Sequence, residues 1–204
     1  MDLQEFLAGQ APEYLGTALA VVSVVLIARQ NILGWSLGIL WAIISAWLAF
    51  TRWQLVSDGI LYVSYVPLQV YCWISWHRHG SAQEAFRPTW LPRDRQMVLL
   101  FSAIAAVVLW GLGVKYLSQH LSWMTAPALL WRDATTTVLS YFAQFLQAKK
   151  RMENWLGWVI VNLLGIHIYL LRGSPVYAAQ YGFFLILGLF GWWSWHRTGK
   201  ETAA

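Results

Sequence analysis

Five polar residues, Asp133, Thr137, Ser140, Gln144 and Gln147, recur at spacings of four, three, four and three within an otherwise apolar stretch. On a helix that spacing puts all five on one face. Hydroxyls and amides in a bilayer-length segment must find partners in neighbouring helices or in a water-filled cavity, so the stripe is predicted to face protein or lumen and not lipid. For any single hydroxyl the alternative is interhelical hydrogen bonding, worth about 0.6 kcal/mol per bond; the whole stripe favours a solute pathway. The next segment presents Trp155, Trp158, Asn162, Gly165 and Tyr169 on one face by the same rule. Two indole planes with an amide one turn deeper can stack a flat ring and hydrogen-bond its substituent. Trp155, beside the basic turn Lys149 to Arg151, reads as an interfacial anchor, with Trp158 and Asn162 deeper. An earlier segment carries Gln69, Trp73 and Trp76 at i, i+4 and i+7, with Gln69 assigned to the lumen and Trp76 to the interfacial belt. Tyr177, Gln180, Tyr181 and Phe184 are helical neighbours in the last apolar run.

Other chemistries lack their parts. No buried carboxylate pair, HExxH, GxSxG or P-loop is present, so hydrolysis, ATP-driven transport and proton relay are disfavoured and no enzyme is expected. His77, His79 and His196 sit beside arginines at segment ends and read as solvated. His167 lies within a segment and reads as a packed hydrogen-bonding residue. The single cysteine, Cys72, excludes an internal disulfide framework and a Cys/His metal pattern and reads as packing. Neither a metal nor a cofactor is expected.

The elements that must position these residues are membrane spans. With 58% of its 204 residues hydrophobic and 11% charged, the chain has too little polar surface to coat a soluble globule. Seven apolar runs, each long enough to cross a bilayer as a helix of roughly 16 to 22 residues, extend over about Glu13 to Ala28, Trp35 to Thr51, Gly59 to Trp76, Met97 to Leu117, Ala134 to Ala148, Trp155 to Leu171 and Val176 to Trp195. They are too long for membrane strands and lack period-two alternation. Most basic residues flank these runs, so the net charge of +5 reads as positive-inside topology and not as a nucleic-acid footprint. An external N-terminus puts ten basic residues inside against four outside, which predicts N-out and C-in. The acidic start, MDLQEFLAGQAPEYLG, lacks the pattern of a signal peptide, so Met1 is expected to begin the mature chain. The loop from about His77 to Gln96, with RPTWLPRDR, is expected to be a cytoplasmic linker near anionic lipid.

The chain also repeats itself. WISWHRHG at Trp73 to Gly80 returns as WWSWHRTG at Trp192 to Gly199, 119 residues later. Trp35 and Trp155, Arg52 and Arg172, Glu13 and Asp133, Thr17 and Thr137, and Arg29 and Lys149 match at 120. One gap reconciles the two offsets. The expected fold is therefore an all-α membrane protein of seven transmembrane helices, with residues 1–80 as a first three-helix repeat, 81–124 as cytoplasmic loop and linker helix, and 125–204 as a second repeat. The extra crossing keeps the two repeats parallel, the 3+1+3 plan of SWEET-like transporters.

RQNILGWSLGILW, SDGILYVSYVPLQVYCWISW and DATTTVLSYFAQFLQAKKRMENWLGWVIVN together resemble the PnuC family of bacterial vitamin transporters over nearly the whole chain. NWxxW with a following Asn is the most specific part. The resemblance implies a trimeric inner-membrane carrier of unphosphorylated vitamin precursors such as nicotinamide riboside, thiamine or riboflavin. It also implies facilitated diffusion, made one-way by a cytoplasmic kinase. The family's motif maps onto Asn154, Trp155, Trp158 and Asn162, and further onto Gln69, Tyr71, Trp73 and Asp133; Gln144, Thr137 and Tyr181 join them as substrate-binding candidates from their spacing. The chain is shorter than many nicotinamide riboside members at its N-terminus and before the fifth core helix.

Nicotinamide riboside and thiamine each pair a cationic aromatic ring with hydroxyls, and a tryptophan face attracts a cation by about 0.5 to 2 kcal/mol. A phosphate would meet no deep Lys or Arg and would be excluded by its desolvation cost. Among the cargoes that the resemblance implies, nicotinamide riboside is placed ahead of thiamine, with riboflavin the further alternative. Two other classes rank lower. An intramembrane lipid-processing enzyme built on Asp133 lacks a second nearby carboxylate, and a structural or sensory scaffold leaves the polar stripe without a use.

Overall fold

The computed structural model describes residues 11–51, 56–79, 87–121, 129–171 and 175–200. Within them the chain forms seven helices: α1 (Ala11–Ala28), α2 (Leu33–Thr51), α3 (Val56–His79), α4 (Arg93–His120), α5 (Leu130–Ala148), α6 (Glu153–Leu171) and α7 (Pro175–Lys200). All-α architecture and the count of seven agree with the apolar runs. Several helices outlast those runs: α3 continues through His77 to His79, and α4 starts at Arg93 and ends at His120. The reason is that a helix satisfies its own backbone and does not stop where lipid ends. Arg52 and Arg172, the side chains of Glu13 and Tyr177, and residues 80–86 of the 77–96 loop lie outside the described residues.

The chain divides into two compact units, Met1–Arg87 and Pro88–Ala204. In the first, α2 packs on both α1 and α3; in the second, α6 packs on both α5 and α7, and α4 packs on α5. The middle helix of each triplet is thus the one enclosed by the other two.

Local chemistry repeats with the sequence. At the end of α1 the Asn31 N–H donates to the Leu26 carbonyl and the Gln30 N–H to Ile27; at the end of α5, Arg151 donates to Leu146 and Lys150 to Gln147. Each is a Schellman close, which needs a left-handed residue at the first position past the helix. Gln30 (φ 58) and Lys150 (φ 47) supply it. The following turns match too, Gly34 N–H to Asn31 and Trp35 to Ile32 in one, Asn154 to Arg151 and Trp155 to Met152 in the other. Beyond them, Trp35 meets Trp76 edge to face at 5.4 Å and 85°, and Trp155 meets Trp195 at 5.3 Å and 87°.

Those pairs correct the interfacial assignment of two tryptophans. Trp155 is 1% exposed and Trp76 4%, so both are core residues between helices. Gly191 lies where a Cβ would overlap the Trp155 indole, and its lack of a side chain admits the ring. The indole nitrogens of Trp35 and Trp155 are buried without a hydrogen-bond partner among the described residues. His167 is exposed and not packed. Cys72 is fully buried, as expected of packing.

Two helices, α4 and α6, are apolar over a full membrane span, with mean hydropathy of 2.5 and 1.5 across their best 18 residues. Only 6% of that stretch of α4 is buried, and its outward Val98, Phe101, Leu109 and Tyr116 are each exposed. In water such a surface would be a large apolar patch; in lipid it costs nothing. Helix α3 carries Pro67 in its interior, which leaves the Val63 carbonyl without its usual helical donor.

Candidate functional site

Helix α5 buries one face, made of Ala134, Val138, Ser140, Ala143, Gln144, Leu146, Gln147 and Ala148. The polar stripe falls on that face as its spacing predicts: Ser140, Gln144 and Gln147 are buried, and Asp133 and Thr137 are half-buried nearer the start of the helix. The Ser140 hydroxyl donates to the Thr136 carbonyl one turn back at 2.7 Å. Small residues on this face let α6 come close, since a Cβ on Gly157 would lie 2.9 Å from the Cβ of Ala143.

The first contact across the α5–α6 turn joins two of the polar groups. The Trp158 indole N–H donates to the Gln147 Oε1 at 3.3 Å. Trp158 is half-buried, so its ring is oriented by a partner while part of its surface stays open. One turn deeper on α6, Asn162 is 95% buried. Its side chain points toward α7, where a Cβ on Gly188 would sit 4.0 Å from Asn162 Nδ2. Deeper still, Tyr169 stacks on Tyr181 at 5.4 Å and 25°, and Tyr181 crosses Gly165 where a side chain would overlap the ring. Trp158, Asn162 and the Tyr169–Tyr181 pair thus descend one side of α6.

Other candidates stand apart from that line. Asp133 lies 14 residues from Gln147 on the same helix, a separation of about 21 Å at 1.5 Å per residue. Asn154 is fully buried and donates its amide to the Arg151 carbonyl at 2.6 Å, making it part of the turn. Trp155 lies in the tryptophan pair already described. In the first unit, Gln69 is 4% exposed and donates to the Gly38 carbonyl at 3.0 Å. It fills the space that a Cβ on Gly38 would take. Trp73 stacks on His77 at 5.5 Å and 11°, and Tyr71 is exposed on the same helix.

Gln147 was on the predicted stripe but its pairing with Trp158 was not visible, because the two are 11 residues apart across a turn whose geometry only the left-handed Lys150 fixes. Glu153 carries no periodic signal at all, yet it is 93% buried and bonded to residues before α4.

Comparison with known proteins places this geometry. A family model described as nicotinamide mononucleotide transporter matches residues 10–197. The nicotinamide riboside transporter PnuC of Escherichia coli (strain K12) is 24% identical over 211 residues, covering 93% of this chain and 86% of the relative. The riboflavin/roseoflavin transporter RibM of Streptomyces davaonensis is 27% identical over 137 residues, covering 63% of this chain and 60% of its own. A crystal structure of the vitamin B3 transporter PnuC superposes with a TM-score of 0.74 at 19% identity, over 95% of this chain and 84% of that one. The fold is shared, and with the family model matched from residue 10 to residue 197 the chain belongs to the nicotinamide mononucleotide transporter family and is a multi-pass membrane transporter of PnuC type.

Proposed function

We propose that this protein carries nicotinamide riboside across the bacterial inner membrane by facilitated diffusion, with Trp158 and Asn162 as the centre of the binding site. The observation that carries the reading is the Trp158 indole held by Gln147 one turn above a buried Asn162 that points toward α7. A ring oriented in this way offers a π-face to a cationic pyridinium, and the amide one turn deeper can bond its carboxamide or ribose. Gln144 lies on the facing side of α5, Thr137 and Asp133 further along it, and Tyr181 below Asn162; together with Asn154, Trp155, Gln69, Tyr71 and Trp73 they complete the set of binding candidates. The names of the Escherichia coli relative and of the solved structure favour a vitamin B3 precursor.

The unphosphorylated form is preferred to the mononucleotide on charge. Neither α6 nor the stretch of α5 after Arg132 carries a Lys or Arg, so a phosphate dianion beside Asn162 would be desolvated without a counter-charge. A cytoplasmic kinase then makes uptake one-way by converting the arriving riboside into that excluded form. A 3+1+3 arrangement of parallel repeats is supported by the matching Schellman closes and the two edge-to-face tryptophan pairs. N-out, C-in orientation rests on the charge bias, and a homotrimer on the family resemblance.

A second reading is riboflavin, favoured by the similarity to a riboflavin/roseoflavin transporter; thiamine is the third. A tryptophan-fluorescence titration of purified protein with nicotinamide riboside, thiamine and riboflavin tests the order. Saturable quenching by nicotinamide riboside at the lowest concentration is expected. Tighter riboflavin or thiamine binding reassigns the cargo, and wild-type affinity in both Trp158→Ala and Asn162→Ala moves the site elsewhere.

A further inference from the structure

The segment that precedes α4 does not hang free of the second unit. The Thr89 N–H donates to the Lys150 carbonyl at 3.1 Å and the Met152 N–H to the Thr89 carbonyl at 3.0 Å, so that Thr89 forms a parallel bridge with Arg151. The Arg151 guanidinium donates to the Thr89 hydroxyl at 2.5 Å. Two residues on, the Leu91 N–H and the Gln96 Nε2 both donate to Glu153 Oε1, at 2.7 and 2.9 Å. Trp90 meets Trp192 of α7 at 6.2 Å. The strap from Thr89 to Gln96 is thus fastened to both sides of the α5–α6 turn.

The first half handles the equivalent turn differently. There the Leu33 N–H, at the position matching Glu153, is capped by the Asn31 side chain at 2.9 Å, a bond made within the turn itself. In the second half Arg151 replaces that asparagine and reaches to the strap instead. The second half has exchanged a local cap for a distant one. The exchange has a cost: Glu153 is 93% buried, and its Oε2 has no hydrogen-bond partner among the described residues. Two donors on Oε1 and the amino end of α6 offset the burial of that charge.

What the strap controls follows from where it is tied. It fixes the end of α5 and the first turn of α6 against each other. The Gln147–Trp158 hydrogen bond links the two helices below that tip. We propose that Glu153 is a positioning residue for solute recognition, clamping the strap to the α5–α6 hairpin so that the Trp158 indole keeps its orientation. The clamp stays closed throughout the transport cycle. The role of Trp158 in this proposal rests on the function proposed above; the clamp itself does not.

Two experiments on the full-length protein separate these. Residues in a β-bridge lie within the Cα separation a disulfide accepts, and Cys72 is buried, so Thr89→Cys with Arg151→Cys gives a selective cross-link. We expect the disulfide to form under mild oxidation in proteoliposomes and labelled nicotinamide riboside uptake to continue at the uncross-linked rate. Failure to form the bond overturns the clamp, and a bond that stops uptake makes the strap a gate and overturns permanent closure. Glu153→Leu is expected to raise the nicotinamide riboside Kd about tenfold at unchanged trimer content on gel filtration. Glu153→Gln, which keeps an acceptor oxygen for Leu91 and Gln96, is expected to restore affinity. Equal Kd values for wild type and Glu153→Leu, or no rescue by Glu153→Gln, contradict the positioning role. If wild type binds none of the three vitamins while the disulfide forms, the functional reading fails and the clamp stands.

Discussion

In the proposed site, Trp158 and Asn162 divide the work of recognition by their chemistry. The indole contributes a face and the amide a direction. Trp158→Ala removes both the face and the donor to Gln147, and a loss of about 1 to 2 kcal/mol of cation–π attraction predicts a Kd for nicotinamide riboside raised roughly 5- to 30-fold in fluorescence or calorimetric titration. Trp158→Phe keeps a ring and loses only the bond to Gln147, a change of about 1 kcal/mol, so its Kd should fall between wild type and Trp158→Ala. If Phe and Ala prove equally weak, orientation by Gln147 matters more than the ring itself. Asn162→Ala should weaken binding by a similar hydrogen-bond increment without lowering the yield of assembled protein. Part of this site was legible in the sequence because a period of 3.6 is local: the stripe on α5 and the Trp158–Asn162 face of α6 both follow from spacing. Trp155 and Trp76 were not legible. A tryptophan beside a basic turn looks the same whether it faces lipid headgroups or another indole, and the partner of Trp155 lies 40 residues further along the chain.

The turns that close α1 and α5 decide how each triplet starts, and both use a residue with a side chain where glycine is the usual occupant. A non-glycine left-handed residue costs about 1 kcal/mol or more. Lys150→Gly should therefore raise the denaturation midpoint in detergent, and Gln30→Gly should do the same in the first half. Burial adds a second cost at Lys150, pushing its amine down from 10.5 to about 8. The folded protein holds this proton less tightly than the unfolded chain, so the cost is full below pH 8 and vanishes above the unfolded value. The stability advantage of Lys150→Gly should then shrink as pH rises from 8 to 10.5, which thermal melts at stepped pH can follow; a constant difference would show that backbone strain alone is responsible. Where α6 meets α7, Gly191→Ala would drive a methyl group into the Trp155 indole. Overpacking of this kind costs about 1 to 3 kcal/mol, and the expected readout is a lower melting temperature. The apolar runs located every helix among the described residues because their length is fixed by the bilayer, but not their ends. His77 to His79 and Arg93 to Gln96 are charged or polar and still helical, and pairing between Thr89 and Arg151 spans 62 residues with no local signal.

Among the described residues, seven helices, a polar face on α5 and an outward apolar surface on α4 suit the passive carrier proposed above. The sequence shows no P-loop to couple transport to ATP. On the facilitated diffusion proposed above, the solute reaches equal concentration on both sides and no further; accumulation in a cell would then need the proposed kinase step. The matching turns and ring pairs were legible from the returned WxSWHRxG and from residues at a constant offset: Gln30 and Lys150 close α1 and α5, and Trp76 and Trp195 meet Trp35 and Trp155. Uptake of labelled nicotinamide riboside by proteoliposomes, with no ATP and no ion gradient, measures this directly. Wild type should fill the vesicles to the external concentration faster than empty liposomes, and the combined Trp158→Ala and Asn162→Ala variant should approach the empty-liposome rate. Nicotinamide riboside, thiamine and riboflavin all entering no faster than into empty liposomes would contradict it, as would accumulation above the external concentration only when an ion gradient is imposed.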